Sequence, residues 1–156
     1  MTSHFVPPVT PNVTPQPGAA PVGMVTELDP VPLLATLYLR VWCDSGPAQI
    51  DQDFRLALGA TAGARAAETF ADLCQTLLAT ARRPLMRHQT GCRCLGGDEA
   101  CFAQLITAAA FGAREDALML AMLMVRPDCA PGIVDLAQQA GLSIHRIILR
   151  GPTVLH

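Results

Sequence analysis

Lysine is absent from this 156-residue chain, and all eleven basic residues are arginine. That alone excludes a Schiff-base lysine and the lysine of a phosphate-binding P-loop. Aromatics are scarce, with one Trp, one Tyr and five Phe, so a core must draw mainly on Ala, Leu, Val, Ile and Met. Charge is sparse and nearly balanced, 11 basic residues against 13 acidic for a formal −2. Such a balance gives no long-range attraction to nucleic acid or to an anionic membrane surface. No apolar run approaches the ~20 residues of a membrane span; the longest near-continuous stretch is Ala117 to Val125. There is no glycine-rich dinucleotide fingerprint, no G-x-S-x-G elbow and no Glu-x-x-His pair of the kind that builds di-iron bundles. These absences point away from catalysis.

The chain opens without a basic region, apolar run and small-residue cleavage site, so no secretory leader is expected. The six cysteines are scattered rather than spaced as a stapled mini-fold. They read as free thiols of a reducing compartment, and the expected location is the cytoplasm.

What is present favours helices. Half of the residues are hydrophobic, and Ala and Leu, both strong helix formers, dominate. Residues 1–26 hold six of the thirteen prolines and no charged residue; the segment reads as a disordered proline-rich tail whose deletion leaves stability unchanged. Residues 27–150 then read as a single helical domain, with 151–156 as a short C-terminal tail. Asp29-Pro30 opens a first helix with Leu34, Leu37, Tyr38, Val41 and Trp42 at helical spacing. Ile50, Phe54 and Leu58 mark a second, ended by Gly59. Ala66, Phe70, Leu73, Cys74, Leu77, Leu78 and Ala81 form the stripe of a third, with Arg82 and Arg83 in its last turn and Pro84 as its stop. A fourth runs from Gly97 to about Gly112. A fifth, Ala117 to Val125, is apolar on nearly every face and is expected to be the central buried helix. Asp128 caps a sixth that Gly141 ends, and residues 142–149 read as a short helix or edge strand. The expected fold is all-α, a compact orthogonal or bundle-like array of about six short helices.

The loop between Pro84 and Gly97 is long for a helix–helix connection, and such loops often carry function. Arg82, Arg83, Arg87 and Arg93 place four of the eleven arginines within twelve residues, with no acid before Asp98. The guanidinium fork suits carboxylate or phosphate, so these residues form the candidate contact surface for a protein partner or an acidic ligand. The alternative is that they cap the third helix and pair with acids of the fold itself. His88, Cys92, Cys94 and Cys101 form H-x3-C-x-C-x6-C, one imidazole and three thiolates, a set that zinc accepts. Against zinc stand the single-residue spacing of Cys92 and Cys94 and the place of Cys101 on an apolar stripe. Arg87 and Arg93 beside Cys92 and Cys94 also suggest a redox-active pair.

A third candidate spans Ile133 to Arg150 and resembles a helix-turn-helix. Leu136-Ala137 falls in its first helix, Gly141 at the turn, and Ser143, His145 and Arg146 would begin a recognition helix. Arg150 stands where an apolar anchor is needed, and Gly151-Pro152 leaves the second helix short. The reading that emerges is a non-enzymatic interaction or regulatory protein using the arginine-rich loop. A zinc-stabilised domain and a helix-turn-helix regulator are the alternatives. Nucleic acid and membrane are not the expected partners.

Overall fold

In the computed structural model, which describes residues 17–151, six α-helices make up the fold: α1 (Pro30–Ser45), α2 (Pro47–Leu58), α3 (Ala60–Thr80), α4 (Gly97–Ala110), α5 (Arg114–Met124) and α6 (Ala130–Leu149). A two-stranded antiparallel ribbon, β1 (Pro21–Met24) with β2 (Cys94–Gly96), is the only sheet among the described residues. The all-α expectation holds. Prolines stand in the first turns of α1, α2 and α6, where a missing N–H leaves no bond unmade. Single glycines, Gly46 and Gly59, join α1 to α2 and α2 to α3. None of the helices described is long and apolar enough to cross a membrane.

Four of the seven aromatic residues link four helices. Tyr38 of α1 meets Phe54 of α2 edge-on at 4.8 Å between ring centroids. Phe54 lies 5.9 Å from Phe70 of α3, and Phe70 lies 6.4 Å from Phe102 of α4. Each such pair contributes about 0.5–1.5 kcal/mol beyond the area it buries. All four residues are fully or almost fully buried, and burial, with Asp53 nearby, pushes the Tyr38 hydroxyl up to about 12. Aliphatic residues of α3, α4 and α6 complete the same core.

Three expectations need correction. The sixth helix does not end at Gly141; α6 continues to Leu149. Gly141 is there for space, since a Cβ on it would stand 2.7 Å from Ala110 Cβ and 2.9 Å from Ile106 O of α4. One uninterrupted helix leaves no turn and no separate recognition helix, so the helix-turn-helix resemblance fails in its geometry. Nor is α5 central. It buries Ala117, Ala121 and Met124 on one side, while Met119, Met122 and Leu123 are exposed. The central element is α6, which packs against each of the other five helices.

The third correction concerns the N-terminal segment. Residues 17–26, assigned to the tail on proline content, belong to the fold. Pro21 pairs with Gly96, Gly23 with Leu95 and Met24 with Cys94. The rest of the expected tails, residues 1–16 and 152–156, lies outside the described residues.

Candidate functional site

The loop from Ala81 to Leu95 is held by a charge that the helical pattern does not announce. Arg40, in the third turn of α1, is fully buried, and so is Glu99 in the first turn of α4. Arg40 Nε donates to Glu99 Oε1 at 2.7 Å and one terminal nitrogen donates to Oε2 at 2.9 Å. The remaining guanidinium donors reach the Cys92 and Cys94 carbonyls. Glu99 in turn accepts the Gly96 N–H at 2.9 Å, as a capping residue does, and the His88 N–H at 3.0 Å. Burial works against the charge on Glu99, but the Arg40 guanidinium and the two N–H groups outweigh it and hold the carboxyl below its usual range. One ion pair thus fixes α1, α4 and both halves of the loop.

The N-terminal strap closes the loop from outside. Gly97 and Asp98 N–H, two of the unpaired donors that open α4, are satisfied by the Ala20 and Gly18 carbonyls at 3.1 and 2.9 Å. Gly18 has φ 87° and lies so close to Asp98 that a Cβ there would overlap the carboxylate. His88 Nε2 lies 3.0 Å from Ala19 O, and Val25 N–H donates to Arg93 O at 2.9 Å.

The four loop arginines divide by what they hold. Arg82 lies beyond the end of α3; its N–H and its Nε donate to the carbonyls of Met124 and Val125. Arg83 grips Asp98 through both terminal nitrogens, at 2.9 and 2.7 Å, and reaches Pro17 O at 3.1 Å. Asp98 also accepts the Met86 N–H. Arg87 pairs with Asp44 at 2.6 Å. The Thr90 hydroxyl first, then its N–H and Arg87, hold the Asp44 carboxyl below the ordinary range. Arg93 is exposed and makes no side-chain hydrogen bond or ion pair among the described residues. The structure therefore uses Arg82, Arg83 and Arg87 as internal fasteners, the alternative that the sequence also offered.

The histidine and the three thiols do not gather. Cys92 Sγ lies 3.7 Å from His88 Nδ1, but Cys101 turns the other way and its thiol donates to Leu120 O of α5 at 3.7 Å. Burial, with Asp98 adding to it, raises the Cys101 thiol pKa. Among the described residues no three His, Cys, Asp or Glu side chains come together as a metal-binding group. All six cysteines are free thiols.

Comparison with protein-family models, curated proteins and solved structures gives no match for this chain. The reading therefore rests on its surfaces. The loop's charges are largely matched within the fold, and three of the nine exposed large apolar side chains among the described residues, Met119, Met122 and Leu123, lie close together on α5. Asp116, Met119, Leu120 and Leu123 line one shallow groove there. Asp116 is exposed in the first turn of α5, and Arg126, two residues past its end at Met124, is exposed as well. Residue spacing of three and four puts 116, 119, 120 and 123 on one helical face.

Proposed function

We propose that the protein acts by contact rather than by chemistry, and that its contact face is α5, with a second copy of the chain as its occupant. The exposed strip of Met119, Met122 and Leu123, on a helix that buries only its opposite side, carries this reading. Methionine-rich helix faces adapt their shape to an apolar partner, and a cluster of large exposed hydrophobics is a mark of interaction sites. The charges favour a copy of the same helix. In an antiparallel pairing about a two-fold axis near residue 121, Asp116 of one chain falls opposite Arg126 of the other, and the converse pair forms by symmetry. Arg126 is 63 % exposed at its side chain, and its contacts within the chain, Asp128 at 3.9 Å and Cys129 Sγ at 3.5 Å, are ones that a partner carboxylate would replace. The loop arginines enter this reading as the means of holding the loop, with Arg93 alone left for outside contact. Free thiols fit a reducing, cytoplasmic setting.

Sedimentation equilibrium through the micromolar range tests it. The expected result is a reversible dimer that Leu123→Glu converts to a monomer of unchanged helical content. Asp116→Arg should weaken association and Arg126→Asp, added to it, should restore it. A wild-type monomer throughout that range, with no concentration-dependent shift of the α5 methyl signals, overturns the reading.

A further inference from the structure

Between α3 and α6 runs a groove of about 220 Å³ with no carboxylate in its walls. Arg65 and Thr69 line it from α3, and Gln139, Ser143 and Arg146 from α6, over a floor that includes Ala62 and Ala66. Spacings of three and four bring each set to one face of its helix. Six of the eleven arginines are in ion pairs within the fold. Arg65 and Arg146 are exposed, and neither has an ion pair or a side-chain hydrogen bond among the described residues. The acids nearest in sequence are placed elsewhere. Glu68 lines a separate groove toward α2, Asp135 pairs with Arg114, and Asp72 is exposed and pairs with neither arginine. The hydroxyls are also unspent. Thr36, Thr80 and Thr107 donate theirs to the carbonyl four residues earlier, whereas Thr69 and Ser143 make no such bond among the described residues.

We propose that this groove binds a phosphoryl dianion, carried as free phosphate or as the monoester of a small molecule, between Arg65 and Arg146. Two guanidiniums facing one groove repel each other, and a dianion between them removes that cost. Each guanidinium offers a fork that fits two phosphoryl oxygens. The Thr69 and Ser143 hydroxyls and the Gln139 amide add neutral donors for the oxygens that remain. A phosphate monoester carries about −1.5 to −2 charge at neutral pH, which two arginines match, whereas a carboxylate or a phosphodiester brings one charge. The groove is smaller than the about 300–1,000 Å³ that encloses a drug-sized ligand, so it holds the phosphoryl group and leaves the ester's body in solvent. Ser143 and Arg146, which the helix-turn-helix resemblance assigned to base edges, thus share a face whose complement is α3. None of these residues belongs to α5, so this binding stands apart from association through that helix.

The arginine Nε–H signals of ¹⁵N-labelled protein test this at about 0.15 M ionic strength, where long-range attraction is screened. Phenyl phosphate is expected to shift the Arg65 and Arg146 signals saturably in the millimolar range. It should bind about tenfold tighter than the monoanions dimethyl phosphate and benzoate, since the second charge is met by the second guanidinium. Inorganic phosphate should compete with it. Inorganic phosphate binding at least as tightly marks the free ion as the occupant, and tighter phenyl phosphate marks an ester. Arg65→Gln and Arg146→Gln, both at exposed positions and expected to keep the helical content, should each weaken phenyl phosphate about tenfold or more. Thr69→Val with Ser143→Ala should weaken it several-fold. Arg93→Gln, at an exposed arginine outside the groove, should leave it unchanged. Four results overturn the proposal: no saturable shift at Arg65 and Arg146, a monoanion binding as tightly as phenyl phosphate, Arg93→Gln weakening it as much as Arg65→Gln, or undiminished affinity in either arginine variant.

Discussion

Arg40 and Glu99 show how a buried charge pair becomes inseparable from the backbone around it. Many buried pairs can be exchanged for apolar residues at little loss, because desolvation offsets their attraction. Here each partner also satisfies two backbone groups of the loop, the Cys92 and Cys94 carbonyls on one side and the His88 and Gly96 N–H groups on the other. Arg40→Met alone strands a buried carboxylate and is expected to cost about 3–5 kcal/mol in urea unfolding. Arg40→Met with Glu99→Leu removes both charges but leaves four backbone groups without partners, so it should stay at least about 2 kcal/mol below wild type. Wild-type stability in the double variant would show that those groups find partners elsewhere. Acidity follows from the same geometry. The Glu99 pKa lies below its ordinary 4.5 in the fold, so between the two values the unfolded chain binds more protons. Its stabilisation is therefore fully present above pH 4.5 and is lost as pH falls through the folded value. Glu99→Gln should flatten that part of an acid-unfolding profile. One trace of the pair is visible in the sequence: Arg40 is the only charge between Pro30 and Cys43. Its partner, 59 positions away, cannot be read from local pattern.

At the scale of elements, the helices were legible and the strap was not. Stripes at three- and four-residue spacing, prolines in first turns and the acids at Asp98 and Glu99 mark where most helices lie. Only α3 begins well ahead of its marked stripe, at Ala60 rather than near Ala66. The strap was hidden by proline density, yet Pro21 occupies the first position of β1, where a strand tolerates it. What determines β1 is its partner, β2, across some seventy residues of chain. The strap's removal should therefore matter, contrary to the expectation from composition. Deleting residues 1–26 strips Gly97 and Asp98 N–H of their acceptors and leaves β2 unpaired. The expected fall in melting temperature exceeds roughly 5 °C, the scale of about 1 kcal/mol in a domain of this size. An unchanged melting temperature would mean that the strap contributes nothing. The arginines carry a companion test: Arg83→Ala should speed amide exchange at Met86 and Asp98, since it releases the carboxylate that the loop is fastened to.

Across the whole molecule, position within the packing is what the one-dimensional pattern leaves out. α5 is apolar nearly all round, which suggests a helix enclosed on every side. Yet it is short, and only its Ala117, Ala121 and Met124 side meets the body of the protein. α6 takes the centre because it is long enough to touch all five neighbours and because Gly141 lets it approach α4 closely. The same glycine reads in sequence as a helix stop, since glycine serves both purposes and only the neighbour decides between them. Gly141→Ala separates the two roles. In the interior of an unencumbered helix the change gains up to about 1 kcal/mol in helix propensity. Here the new methyl group meets Ala110 Cβ and Ile106 O at less than ordinary contact distance, and overpacking of that kind costs about 1–3 kcal/mol. A net loss of stability is expected, with chemical-shift changes concentrated at Ile106 and Ala110 of α4 rather than at residues 142–149. A stabilised variant with an undisturbed α4 would show that the two helices do not approach at this glycine, and the central place given to α6 would fall with it.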